Sequence, residues 1–130
     1  NCEDGRIKLF TLYKSLIERR RNRKLFSKGK YIPLQFSGSG RWHLVGYARH
    51  YQNQWALIVL PRHLVHFLNE GEYPHKVQTW EDTTVHLPKG APRKWRSVFS
   101  GRILNFEHHE VRLNELFTNF PIIFLRENFR

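Results

Sequence analysis

Histidine is where chemistry would show first in this sequence, because eight occur among its 130 residues. His63 and His66 stand three residues apart, and His108 and His109 are adjacent, flanked by Glu107 and Glu110. A zinc site takes three or four ligands from His, Cys and carboxylate side chains. Cys2 is the single cysteine and lies at the far end of the chain, so His and carboxylates would have to form the whole set. Neighbouring residues on a strand point to opposite faces, which keeps His108 and His109 from sharing one ion. The plainer reading is solvated loop histidines, and no metal ligand is assigned.

Paired carboxylates are the next candidate. Glu81-Asp82 follows Trp80 and precedes Thr83-Thr84. Glycosidases use two carboxylates held about 5–10 Å apart, brought together from separate segments; adjacent residues diverge and cannot form that pair. The expected role is structural, with Trp80 in the core and Asp82 accepting backbone or Thr hydrogen bonds where the next strand begins. No Gly-x-Ser-x-Gly elbow or Cys–His arrangement is present, and Gly38-Ser39-Gly40 lacks the length and the basic residue of a phosphate loop. Catalytic, cofactor-binding and metal-binding residues are therefore all read as none. The four tryptophans, Trp42, Trp55, Trp80 and Trp95, read as core residues, since Trp is highly buried on average. An exposed one among them could stack on a sugar ring, so a carbohydrate contact stays open.

The elements that would position these residues are mainly β. Residues 6–23 read as the one long helix, with Leu9, Leu12, Tyr13, Leu16 and Ile17 on one face. Asp4 suits its start, and the run of basic residues at 19–24 suits the negative end of its dipole. After Gly29 the period changes to two. Strands are expected at 31–36 (an edge strand, because of Pro33), 42–48, 55–60, 83–87, 95–100, 102–106 and 121–125. A helical turn is expected at 62–68, and 111–117 is ambiguous between strand and helical turn. A helix followed by about seven short strands suggests a β-sandwich carrying one helix. The apolar stripe is expected to dock on that sandwich or to pair weakly with a second copy, since an isolated helix this short is marginal in water.

Composition agrees: ten Phe, five Tyr and four Trp favour pleated, half-buried surfaces. The longest apolar run, 55–60, is far short of the roughly 18 residues a membrane helix needs, and one cysteine permits no internal disulfide. A cytoplasmic home without membrane attachment is expected. Met is absent throughout, position 1 included, so the chain reads as a piece of something longer. The net charge of +11 raises nucleic acid as a partner. However, the basic residues crowd into the first thirty positions, with five of the six residues 19–24 being Lys or Arg. They are not interleaved with the aromatic residues, as strand binding would want, so nucleic acid is not the expected partner.

Particular strings carry more information than composition. They are Asp4-Gly5-Arg6-Ile7-Lys8-Leu9-Phe10, Glu18-Arg19-Arg20-Arg21, Leu60-Pro61-Arg62, Trp80-Glu81-Asp82-Thr83-Thr84-Val85-His86-Leu87-Pro88, Trp95-Arg96-Ser97-Val98-Phe99-Ser100-Gly101, and Leu113-Asn114-Glu115-Leu116-Phe117 leading to Phe120-Pro121-Ile122-Ile123-Phe124-Leu125. In that order they resemble the carboxy-terminal end of the malto-oligosyltrehalose synthases, members of the α-amylase clan, over essentially the whole chain. The resemblance implies a parent enzyme that converts the reducing-end α-1,4 link of a malto-oligosaccharide into an α,α-1,1 link by intramolecular transglucosylation. It implies that the clan's catalytic carboxylates lie upstream, at the ends of the fourth, fifth and seventh strands of a (β/α)8 barrel, so that none falls in this chain. Residues 1–29 would then be the last barrel helix and a linker, and 30–130 the carboxy-terminal β-sandwich. The implied partners are the upstream barrel and the parent's malto-oligosaccharide substrate.

Overall fold

A computed structural model describes residues 6–61, 82–116 and 122–128. Within them the chain is mainly β, with nine strands in two antiparallel sheets and no barrel. The six-stranded sheet is built from β1 (Lys30–Pro33), β3 (Leu44–Tyr51), β4 (Gln54–Pro61), β9 (Ile123–Glu127), β6 (Lys94–Ser97) and β7 (Ile103–Asn105), in the order β1-β3-β4-β9-β6-β7. The three-stranded sheet is β2 (Gln35–Ser37), β5 (Thr84–His86) and β8 (Glu110–Arg112), in the order β2-β5-β8. Helix α1 (Arg6–Arg21) and the short α2 (Arg23–Lys28) precede the sheets, and α3 (Leu113–Leu116) follows β8.

Alternation explains how β4 and β9 become the middle of the molecule. Trp55, Leu57 and Val59 on β4, with Ile123 and Leu125 on β9, enter a cluster that also holds Val85 of β5 and Val111 of β8, joining residues of the two sheets. The intervening Ala56, Ile58 and Phe124 point the other way, into a second cluster with Leu25, Phe26 and Phe99. Both strands are thus apolar on two faces, and both sequences are near-continuous apolar runs.

The expected strand at 31–36 is two strands in different sheets. β1 does lie at an edge of the six-stranded sheet, as its proline suggested. The chain then turns at Leu34, whose N–H donates to the Gly46 carbonyl at 3.0 Å and whose side chain is buried. This close crossing needs Gly46: a Cβ there would stand 2.8 Å from the Phe36 ring and 3.1 Å from the Ile58 carbonyl oxygen.

Several boundaries move in the same manner. The helix expected over 6–23 breaks at Asn22, which opens α2. Residues 41–43 form a 3-10 turn rather than strand. The strand expected at 95–100 ends at Ser97, where the Ser97 N–H donates to the Arg102 carbonyl and the Gly101 N–H donates to the Ser97 carbonyl, closing a turn. The ambiguous 111–117 segment divides into the end of β8 and helix α3. The helical turn expected at 62–68 and the core placement of Trp80 lie outside the described residues.

The largest departure concerns α1. Of its apolar stripe, Leu12, Tyr13 and Leu16 are each more than half exposed instead of packed on the sheets, while Ile17 is half-buried. The side of α1 that faces the domain is held by a buried acid instead. Glu18 Oε2 lies 3.2 Å from Arg126 Nη1, and Glu18 Oε1 lies 3.4 Å from Arg96 Nη2. Arg126 also donates to Glu127 Oε1 (2.7 Å) and to the Trp55 carbonyl (2.9 Å), while Asn22 Nδ2 donates to Glu18 Oε2 (2.9 Å). Two acids and two guanidiniums thus balance where the end of α1 meets β4, β6 and β9. Nothing in the periodicity of 6–23 marks Glu18 as inward-facing.

Candidate functional site

The three-stranded sheet and the turn that follows β2 gather most of the organised polar side chains. Register brings them together. His86 stands opposite Gln35 on one side and Glu110 on the other, with Ser37 opposite Thr84. Ser37 Oγ lies 3.0 Å from His86 Nε2 and 2.7 Å from Thr84 Oγ1, and His86 Nδ1 lies 3.5 Å from Glu110 Oε1.

In order of types, this is nucleophile, base and acid. Its setting does not suit acyl transfer. Glu110 is about two-thirds exposed and His86 about one-third, and no described cavity includes Ser37 or His86 among its lining residues. Electrostatic stabilisation of a developing oxyanion needs preorganised donors in a water-excluded cleft. The row is better described as cross-strand pairs on a solvated sheet face. Sequence reasoning missed it, and its only signal was the alternation in Thr84-Val85-His86 and Glu110-Val111-Arg112, which becomes a row only once register is known.

Residues 38–42 continue from this row. Gly38 adopts φ +103°, and a Cβ on it would stand 2.2 Å from the Asp82 carbonyl oxygen, so the tight approach of this turn to Asp82 requires glycine. Ser39 donates to Asp82 through its hydroxyl (2.7 Å) and its backbone N–H (3.3 Å), and Gly40 N–H donates to the Thr83 hydroxyl (2.9 Å). Asp82 therefore does what its sequence position suggested, accepting backbone and hydroxyl bonds at the start of a strand. The Ser39 hydroxyl, above all, holds its carboxyl below the usual value of 3.8. A depressed folded-state value means the ionised carboxylate stabilises the turn above that usual value, and the contribution is lost as pH falls through the folded one.

Trp42 ends this turn and is the exception among the described tryptophans. It is 69 % exposed, whereas Trp55 and Trp95 are 5 % and 0 % exposed. Arg41 donates from Nη1 to the Gly38 carbonyl at 2.7 Å and carries its guanidinium over the indole, 4.8 Å from the ring centroid.

The other sequence candidates are dispersed. His108 and His109 are exposed in the bend before β8, and His63, His66 and Glu81 lie outside the described residues. Among the described residues no group of three or more His, Cys, Asp or Glu could hold a metal ion. Arg20, Arg21, Arg23 and Lys24 line an open cleft around Asn22, which the sheets reach only through Gln54. Among the described residues no helix is long and apolar enough to cross a membrane. No protein-family model, curated protein or solved structure matches the chain.

Proposed function

We propose that this chain is the non-catalytic carboxy-terminal part of a malto-oligosyltrehalose synthase, with residues 1–29 the last barrel helix and its linker and 30–130 a β-sandwich. The observation that carries the reading is the way α1 is divided. Glu18 fastens its end to β6 and β9, while Leu12, Tyr13 and Leu16 turn an apolar face outward. A helix anchored to one unit and apolar toward the opposite side suits the seam between two units, and the upstream barrel is the partner that would cover it. The ordered strings quoted above supply the family, and two antiparallel sheets joined by one hydrophobic cluster suit a sandwich. On this reading the protein is cytoplasmic and its parent isomerises the reducing-end link of malto-oligosaccharides.

The division of labour has a direct test. Incubated alone with maltopentaose, the purified chain is expected to form neither a trehalose-ended product nor glucose and shorter maltodextrins. Chromatography showing either product above a buffer blank would overturn the assignment of catalysis to an upstream unit.

A further inference from the structure

We propose that Trp42 is a glucan-stacking platform, binding one pyranose ring of a malto-oligosaccharide on the indole face that Arg41 leaves free. The inference deepens the reading above and rests on it for the identity of the sugar.

Four observations carry it. A tryptophan 69 % exposed leaves a large apolar surface in water, which is costly for a residue type usually buried. The backbone that leads into the ring is also fixed, and one face of the ring is covered. Its chain segment is pinned by the bonds from Ser39 and Gly40 to Asp82 and Thr83, and the Arg41 guanidinium, itself fixed to the Gly38 carbonyl, covers one face. Preorganisation of this kind removes part of the ordering cost of binding. Among the described residues, the opposite face meets no other ring and the indole N–H has no hydrogen-bond partner, so a flat apolar surface and a donor at its edge are both available. Finally, the residues on either side, Arg41 and His43, are polar and exposed. A single apolar ring among hydrogen-bonding groups matches a pyranose, whose faces carry C–H bonds and whose rim carries hydroxyls. A protein-docking surface would instead extend the apolar area, as the α1 stripe does.

The test follows the indole N–H signals of the ¹⁵N-labelled chain while maltopentaose or cellopentaose is added to millimolar concentration. The Trp42 signal is the one that vanishes in Trp42→Ala. Maltopentaose is expected to shift that signal and leave the Trp55 and Trp95 signals in place. Trp42→Ala should weaken binding about tenfold or more, the scale of one lost stacking contact, while melting with the parent. Arg41→Gln keeps the indole and should weaken binding by a smaller factor, which preserves the test if Trp42→Ala folds poorly. A Trp42 signal unmoved by either sugar overturns the platform and leaves the family reading intact. A shift with cellopentaose but not maltopentaose overturns the inference as stated and counts against the family reading as well. Binding of maltopentaose undiminished in Trp42→Ala places the sugar elsewhere and overturns it too.

Discussion

Trp95→Ala should be among the most destabilising single changes in the domain. Trp95 is fully buried, and its indole N–H donates to the Pro92 carbonyl at 2.8 Å. It belongs to the cluster that joins residues of the two sheets, opposite Leu104 on β7 and Glu127 on β9. Truncating a buried Trp costs about 3–5 kcal/mol, because the lost transfer free energy is joined by that of the cavity left behind. The removed indole also leaves the Pro92 carbonyl without its donor. Against a total stability of about 5–15 kcal/mol for a domain of this kind, the loss should lower the melting temperature by roughly 10 °C or more. Thermal melts followed by near-ultraviolet circular dichroism would show it, and an unchanged melt would remove Trp95 from the core.

The second large effect is electrostatic. Glu18→Ala should cost on the order of 3 kcal/mol, since removing one partner strands a buried charge. Arg126 is only 4 % exposed, and without Glu18 its remaining carboxylate is Glu127, which also accepts the Trp55 backbone N–H at 2.9 Å. Arg126→Met should do comparable damage, because it leaves Glu18 and Glu127 facing a buried methionine. The double variant Glu18→Leu/Arg126→Met should then be markedly less destabilised than the sum of Glu18→Leu and Arg126→Met measured alone, as buried ion pairs replaced together by apolar groups often are. Additive losses in a denaturant series would show that the two side chains do not act as a pair. The effect should also persist at high salt, since buried pairs are screened far less than exposed ones.

These two sites show where sequence reasoning reached and where it stopped. The β character, the edge position of the proline-bearing first strand, the apolar strand at 55–60, the apolar start of β9 at 123–125, and the hydrogen-bonding role of Asp82 all follow from local residue chemistry. Alternation, proline and a short polar side chain before a strand each act over a few residues, so a sequence carries them openly. Glu18 and Leu34 do not work locally. Glu18 sits in a basic stretch, and only the fold brings Arg96 and Arg126 to it from residues 78 and 108 positions away. Leu34 turns the chain between sheets because Gly46 lets the backbone pass, a condition set twelve residues later. The same holds for the polar face: Ser37, His86 and Glu110 meet through strand register alone. The average burial of tryptophan predicts a core place for Trp42, but the 3-10 turn at 41–43 carries it outward. Of the two fates expected for the apolar stripe of α1, docking on this domain gives way at Leu12, Tyr13 and Leu16, which face outward while the ion pairs of Glu18 hold the helix to the sheets.

That outward stripe is the reason to look upstream, and the most direct test is to read the transcript on the 5′ side of the codon for Asn1. The account predicts an open reading frame that continues upstream without a stop and encodes a (β/α)8 barrel, with carboxylates at the ends of its fourth, fifth and seventh strands. A reading frame that opens immediately before Asn1, or that encodes an unrelated domain there, would contradict it.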